Sequence, residues 1–202
     1  MTGRCLERKG QGFSGSTLPA RASSWRKRCP AWRWLSMSRA AALCDLRYTI
    51  CFVTSGEYVL MLNRRRAPNM GLWNGLGGKI EPGETPTESI LREVREEAGL
   101  VLPDVVYGGV VTWQWEGGAG GMHVFLASVP PKTIVQGVRD TPEGILAWQP
   151  LAWVLDPANR GVVSNIRHFL PVMLRDPRPR RFACLYDQER LVSVEQFPLE
   201  TR

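Results

Sequence analysis

The sequence predicts an α/β (α+β) chain in which a mixed β-sheet is sandwiched between helices. Two observations carry that prediction. From Leu46 onward, runs rich in Val, Ile, Leu, Tyr and Trp, bounded by Gly, Pro and Asn, outnumber helical segments. Two segments with helical spacing are interspersed among those runs, so helices can cover the sheet as the chain crosses it.

LRYTICFVTSGEYVLMLNRR reads as two strands joined at Ser55-Gly56, a hairpin signal. RRRAPNMGLWNG is a loop punctuated by Pro, Asn and Gly. Residues 76–81 are expected to form a short strand into the turn Glu81-Pro82-Gly83. A helix then starts near Thr85, which is the N-cap. Pro86 takes the first helical position and Glu88 stands three residues after the cap. Gly99 supplies the stop. VVYGGVVTWQW and MHVFLASV are strands flanking the link GGAGG, and GILAWQPL is another strand. VVSNIRHFLPVML is a second helix, with Pro171 expected to kink or shorten it. RRFACLY and RLVSVEQF, split by Asp187-Gln188-Glu189, form a final hairpin.

The 202 residues suffice for one ordinary domain with its own core. Apolar content of 44% and charged content of 22% fit a soluble globular protein. No apolar run reaches the roughly 20 residues of a membrane span. Cys5, Cys29, Cys44, Cys51 and Cys184 show no paired spacing, which argues against a zinc site or a disulfide framework and fits a reducing compartment. The cytoplasm is the expected location.

Charge is uneven. Residues 1–40 hold nine Lys or Arg and one acid, giving +8, whereas the remaining 162 residues hold 17 cations and 18 acids, giving −1. The basic balance therefore belongs to the leader, and no stable nucleic-acid or membrane partner is expected of the domain. Residues 1–44 are expected to be a disordered basic leader and 45–202 the domain. A secretory signal is not expected, because no apolar core follows the basic start. The leader fits a transit-type peptide, an anionic-surface contact through Trp25 to Trp34, or an upstream translation with Met37 as the true start.

One stretch of the domain reverses the charge. Gly77 to Leu100 reads GGKIEPGETPTESILREVREEAGL, with six glutamates. On a helix Glu93, Glu96 and Glu97 share one face, beside an apolar stripe of Ile90, Leu91, Val94 and Ala98. Like charges at that spacing cost about 0.2–0.5 kcal/mol per pair, and anions near a helix C-terminus oppose its dipole. A solvated acidic face, relieved by Arg92 and Arg95, is one reading. The other is a site for Mg²⁺ or Mn²⁺, which take carboxylate and carbonyl oxygens and join them to substrate phosphates.

The segment resembles the Nudix box, through Gly78, Glu84, Arg92-Glu93-Val94, Arg95, Glu96-Glu97, Ala98 and Gly99-Leu100. The order of elements from Leu46 to Phe197 is similar to the 8-oxo-dGTP diphosphatase branch of that family, the MutT/MutX and MTH1-like enzymes. The resemblance implies an α/β/α Nudix sandwich and Mg²⁺- or Mn²⁺-dependent hydrolysis of a nucleoside triphosphate to the monophosphate and pyrophosphate. It further implies that Glu93, Glu96 and Glu97 hold the metal, with a carbonyl from Gly77 or Gly78. Glu97 or Glu93 would help deprotonate the attacking water, Arg92 would orient the carboxylates, and Glu84 would brace the turn or bind metal indirectly. Glu143 matches the position of an extra ligand or base in some relatives, with a solvated loop acid as the alternative.

For the substrate, the resemblance implies that Asn74 reads a purine edge and that Trp113 and Trp115, alternating on one strand face, wall the base. Met122 and Trp148 are core residues or outer members of that wall. Arg64, Arg65, Arg66 and Lys79 are candidates for the polyphosphate. One departure stands out: DPANRGVVSNIRHF has no Trp-Pro-Asp-Asp, and Asn159, Arg160 and Asn165 occupy that stretch instead. The competing functions are a Nudix hydrolase of another conjugate, such as ADP-ribose or a dinucleoside polyphosphate, and a non-catalytic nucleotide sensor that binds nucleic acid through its leader. The nucleotide is the expected partner, in a monomer or homodimer.

Overall fold

A computed structural model describes residues 45–131, 137–176 and 178–199. The expectations for the leader, including a start at Met37, lie outside the described residues.

Strands β1 (Leu46–Ser55) and β2 (Tyr58–Arg64) form the expected hairpin, with Gly56 at φ 57 in its turn. The short β3 (Trp73–Asn74) pairs with β2, and helix α1 (Pro86–Ala98) follows. Then come β4 (Val106–Trp115), β5 (Gly118–Ser128), β6 (Val138–Thr141) and β7 (Gly144–Pro150). Helices α2 (Leu151–Leu155) and α3 (Ile166–Arg175) precede the closing hairpin of β8 (Arg180–Asp187) and β9 (Arg190–Pro198). Among the described residues the strands join one sheet in the order β6-β7-β2-β1-β5-β4-β8-β9, with β3 beside β2. It is mixed: β1 with β5 and β4 with β8 run parallel, and the hairpins antiparallel.

Strand alternation sends successive side chains to opposite faces and so builds two cores. On one face Ile50, Phe52, Val111, Val124 and Phe182 pack with Ile166, Phe169, Leu170 and Met173 of α3. On the other, Cys51, Val53, Leu60, Leu62 and Phe125 pack with Ile90, Val94 and Ala98 of α1. Ile90 and Val94 are wholly buried. Burying each is worth about 1.5–3 kcal/mol, which exceeds the few tenths of a kcal/mol of repulsion on the acidic face. The apolar stripe therefore holds α1 in place despite its glutamates. The result is the expected mixed sheet between helices.

Several expectations are corrected. Residues 76–81 do not form a strand: the pairing lies at Trp73–Asn74, and Leu76 and Lys79 make only isolated bridges to Cys51 and Tyr48. Gly77, at φ 144, breaks the regular ladder between those bridges. GGAGG is mostly strand, since β5 begins at Gly118. Glycine is needed inside it because a Cβ at Gly120 would lie 2.6 Å from Trp113 Nε1. Pro171 sits within α3, which continues to Arg175. The sequence reading did not contain β6 or α2. Among the described residues no helix is long and apolar enough to cross a membrane.

Candidate active site

The site is assembled where the loop after β3 meets α1. The start of α1 is fixed locally: Thr85 Oγ1 accepts the Glu88 N–H at 3.2 Å, and Glu88 Oε2 accepts the Thr85 N–H at 2.8 Å. At the other end Gly99, at φ 68, donates its N–H to Arg95 O at 2.9 Å. Between these caps the acidic face is laid out residue by residue.

Arg92 is its organiser. Its Nε and Nη2 fork onto Glu84 Oε1 and Oε2 at 2.7 and 2.9 Å. Its Nη1 donates to Glu93 Oε1 at 2.9 Å and Glu96 Oε2 at 3.2 Å, and Nη2 also reaches Lys79 O at 3.3 Å. Glu84 Oε2 accepts the Glu81 N–H at 3.0 Å, so Glu84 ties the turn to the helix. The Arg92 fork and that N–H hold the Glu84 carboxyl down to about 2.

Glu97 differs from its neighbours. It is 7% exposed, and its Oε2 accepts the Gly77 N–H at 2.8 Å. Burial pushes its carboxyl up to about 8; the Gly77 N–H and the Arg64 charge oppose the shift, while Glu93 and Glu143 add to it. Burial also raises Glu93. A Cβ at Gly78 would fall 2.4 Å from Glu93 Oε1, so a side chain there would displace that carboxylate. The Glu93 carboxylate thus lies against bare backbone. A further brace comes from Thr49, whose N–H donates to Gly78 O at 2.9 Å; sequence reasoning missed it, since the contact joins β1 to the glycine loop through backbone alone.

These groups fit a hard divalent cation in their chemistry: oxygen donors on one helix face, with one carboxylate stripped of water beside a glycine backbone. They are not drawn into a closed cage. Among the described residues no three Asp, Glu, His or Cys side chains converge as a ligand group. Arg92 draws Glu93 and Glu96 onto its own guanidinium, whereas Glu97 is bound to Gly77, and the Glu96 side chain is 54% exposed.

The remaining expected residues are distributed as follows. Glu143 is exposed in the turn between β6 and β7, its carbonyl accepting the Arg65 N–H at 2.9 Å. Arg64 ends β2, with its Nε donating to Pro68 O at 2.9 Å. Arg65 pairs with Asp140, Arg66 is exposed, and so is Lys79. Asn74 is half-buried opposite Leu62, its Oδ1 accepting the Gly75 N–H at 3.0 Å. Trp113 is half-buried and, like Met122, packs against the core on the α3 face of the sheet. Trp115 is 41% exposed and lies beside Gly117 and Gly118. Trp148 packs on the opposite, α1 face and does not join Trp113. Of the three residues before α3, Asn159 braces its loop through Trp153 O and the Gly161 N–H, and Arg160 is exposed. Asn165 is buried against Cys184, with its Oδ1 unpartnered among the described residues.

A model of the NUDIX domain family matches residues 46–173, which spans β1 to α3. The chain is 30% identical over 131 residues to the Nudix hydrolase YvcI of Bacillus subtilis, covering 64% of this chain and 79% of that one. It is 33% identical over 81 residues to the oxidized purine nucleoside triphosphate hydrolase of Mus musculus, covering 40% of this chain and 52% of that protein. Among solved structures, the MutT protein of Bacillus halodurans superposes with a TM-score of 0.62 at 24% identity, over 77% of this chain and 100% of that one. Architecture, glutamate helix and matched segment agree: the chain belongs to the Nudix family and is a hydrolase of phosphoric anhydrides.

Proposed function

We propose that this enzyme is a nucleoside triphosphate diphosphatase of the MutT/MTH1-like branch. It acts on purine deoxynucleoside triphosphates, oxidised ones such as 8-oxo-dGTP included, and so cleans the nucleotide pool of the cytoplasm. Water attacks phosphorus, the anhydride bond breaks, and the products are the monophosphate and pyrophosphate. The observation that carries this reading is Glu97, a water-stripped carboxylate held against the Gly77 backbone beside Glu93. Similarity to a mouse hydrolase of oxidised purine nucleoside triphosphates supports the substrate class.

Glu93, Glu96 and Glu97, with a carbonyl of Gly77 or Gly78, are the residues that would hold Mg²⁺ or Mn²⁺. When bound, such an ion neutralises the diphosphate and acidifies water. The chain's own residues do the rest. Arg92 keeps Glu93 and Glu96 oriented while its fork on Glu84 holds the turn in place. Glu97 or Glu93 takes the proton of the attacking water, with Glu97 held in place by the Gly77 N–H. Glu143, whose charge acts on Glu97, assists. Arg64 and Lys79 meet the phosphates, while Asn74 and Trp113 meet the base. The domain of residues 45–202 carries the activity.

The test is a panel of 8-oxo-dGTP, dGTP, dATP, ADP-ribose and a dinucleoside polyphosphate with Mg²⁺, ranked by kcat/KM with pyrophosphate as the product scored. The highest value is expected for a purine triphosphate. A higher kcat/KM for ADP-ribose, or phosphate in place of pyrophosphate, would overturn the assignment.

A further inference from the structure

We infer that Arg139 is a positioning residue for Glu97, an inference that rests on the reading of Glu97 as a working carboxylate. Arg139 lies on the edge strand β6, 42 positions from Glu97. Its Nη2 donates to the main-chain carbonyl of Glu97 at 3.0 Å. A Cβ added at Gly99 would stand 3.7 Å from its Nη1, so the guanidinium lies across the last turn of α1. The final carbonyls of a helix lack partners within it. In α1 the Arg95 carbonyl is taken by the Gly99 N–H, and the Glu97 carbonyl is taken by Arg139. A cation at this end also meets the negative pole of the helix dipole.

Glu97 is therefore held twice, through its side chain by the Gly77 N–H and through its main chain by Arg139. The strand that supplies Arg139 is itself fastened. Its next residue, Asp140, pairs with Arg65, and the Arg65 N–H donates to Glu143 O at 2.9 Å. Adjacent side chains on β6 thus link the last turn of α1 to the turn that bears Glu143. Arg139 touches no reacting atom; it acts through the helix end.

The test uses the full chain with Arg139→Met, which keeps the apolar stem and removes every donor, and Arg139→Lys, which keeps charge and a donor. Arg139→Met is expected to lower kcat about tenfold with KM within about twofold, because misplacement of a reacting group shows in the chemical step. Arg139→Lys should recover most of that loss. In a Glu97→Gln background, Arg139→Met should cost little more, since the two act as a unit. Equal losses in both backgrounds would mean a general structural role and would overturn the inference. Hydrogen exchange at the amides of residues 97–99 gives a readout without turnover, with exchange about tenfold faster in Arg139→Met than in wild type or Arg139→Lys. Unchanged exchange would overturn the inference even if the wild type turned over every nucleotide. If no nucleotide were turned over while exchange responded, the assignment of substrate would fail and the placement of the helix end by Arg139 would stand.

Discussion

The carboxylate of Glu97 accepts the main-chain N–H of Gly77, 20 positions earlier, at 2.8 Å. That single bond joins the glycine turn to the helix. Burial, with the Glu93 and Glu143 charges adding to it, pushes that carboxyl up to about 8 against the pull of this bond. Glu97→Gln keeps an acceptor for Gly77 and removes the ionisable group. It should lower kcat by about 10²–10⁴-fold, the usual worth of a positioned acid or base, with little change of fold. Stopped assays of pyrophosphate release and circular dichroism check both halves.

The same carboxyl makes a stability prediction in the absence of metal. Unfolded, it titrates near 4.5; folded, near 8. Between those values the folded state retains a proton that the unfolded chain has released. Its contribution is then full below about 4.5 and is lost as pH rises towards 8. The wild-type Tm should fall across that window relative to Glu97→Gln, whose amide does not titrate. Parallel Tm profiles for the two proteins would contradict the burial of a titrating Glu97. Added Mg²⁺ should raise the Tm most at the alkaline end, where the carboxylate is already ionised.

Gly77 is committed by its backbone. At φ 144 an L side chain is strained, and a Cβ there would lie 2.2 Å from the Thr49 carbonyl oxygen. Gly77→Ala should destabilise the domain by more than about 2 kcal/mol, since neither the strain nor a clash with a strand backbone relaxes easily. Gly56→Ala is the control, with a positive φ but open space around it. Denaturant melts should show the larger loss at Gly77.

Arg92 tests geometry against charge. It forks onto Glu84 and reaches Glu93 and Glu96 with its remaining nitrogen, a pattern a lysine ammonium cannot reproduce. Arg92→Lys should therefore behave like Arg92→Met in kcat, each about tenfold down or more. The Glu84 carboxyl, held near 2 by this fork, contributes stability above its ordinary 4.5 that is lost as pH falls towards 2. The acid limb of the Tm profile should accordingly be shallower in Arg92→Met than in wild type.

The sequence revealed what depends on local chemistry. The Thr85–Glu88 capping box, the Gly99 stop and the apolar stripe of α1 are all short-range features, and the structure contains each of them. The face shared by Glu93, Glu96 and Glu97 follows from helical spacing alone. What spacing cannot show is that Glu97 is buried whereas Glu96 is exposed, because that depends on where Gly77 sits across the chain. β6 escaped notice for a related reason. Val138–Thr141 is short and exposed, with Val138 73% exposed, so it lacks the apolar alternation of a half-buried strand. The strand expected at 76–81 failed because pairing with β1 is interrupted at Gly77, a conformational demand that composition does not reveal. Trp113 and Trp115 do share a face, yet β8 lies beside Trp113 while Trp115 extends past Leu185 into solvent, a difference made by a strand some 70 residues away in the chain.

That difference separates the two tryptophans as walls for a base. Trp113 lies half-buried over Gly120 and packs, as does Met122, against the core on the α3 face. Trp115 is 41% exposed at the strand end. A stacked base gains about 1–3 kcal/mol from an aromatic face, but only where the ring is already ordered. Trp113→Leu keeps apolar bulk over Gly120 and removes the stacking face; KM for a purine triphosphate should rise about 5- to 100-fold with kcat little changed. Trp115→Leu should leave KM within about twofold, because an exposed ring must first be ordered at the expense of the affinity it adds. Equal KM values for Trp113→Leu and wild type would move the base away from the α3 face, leaving Asn74, on the short strand β3, to be tested on its own through Asn74→Ala.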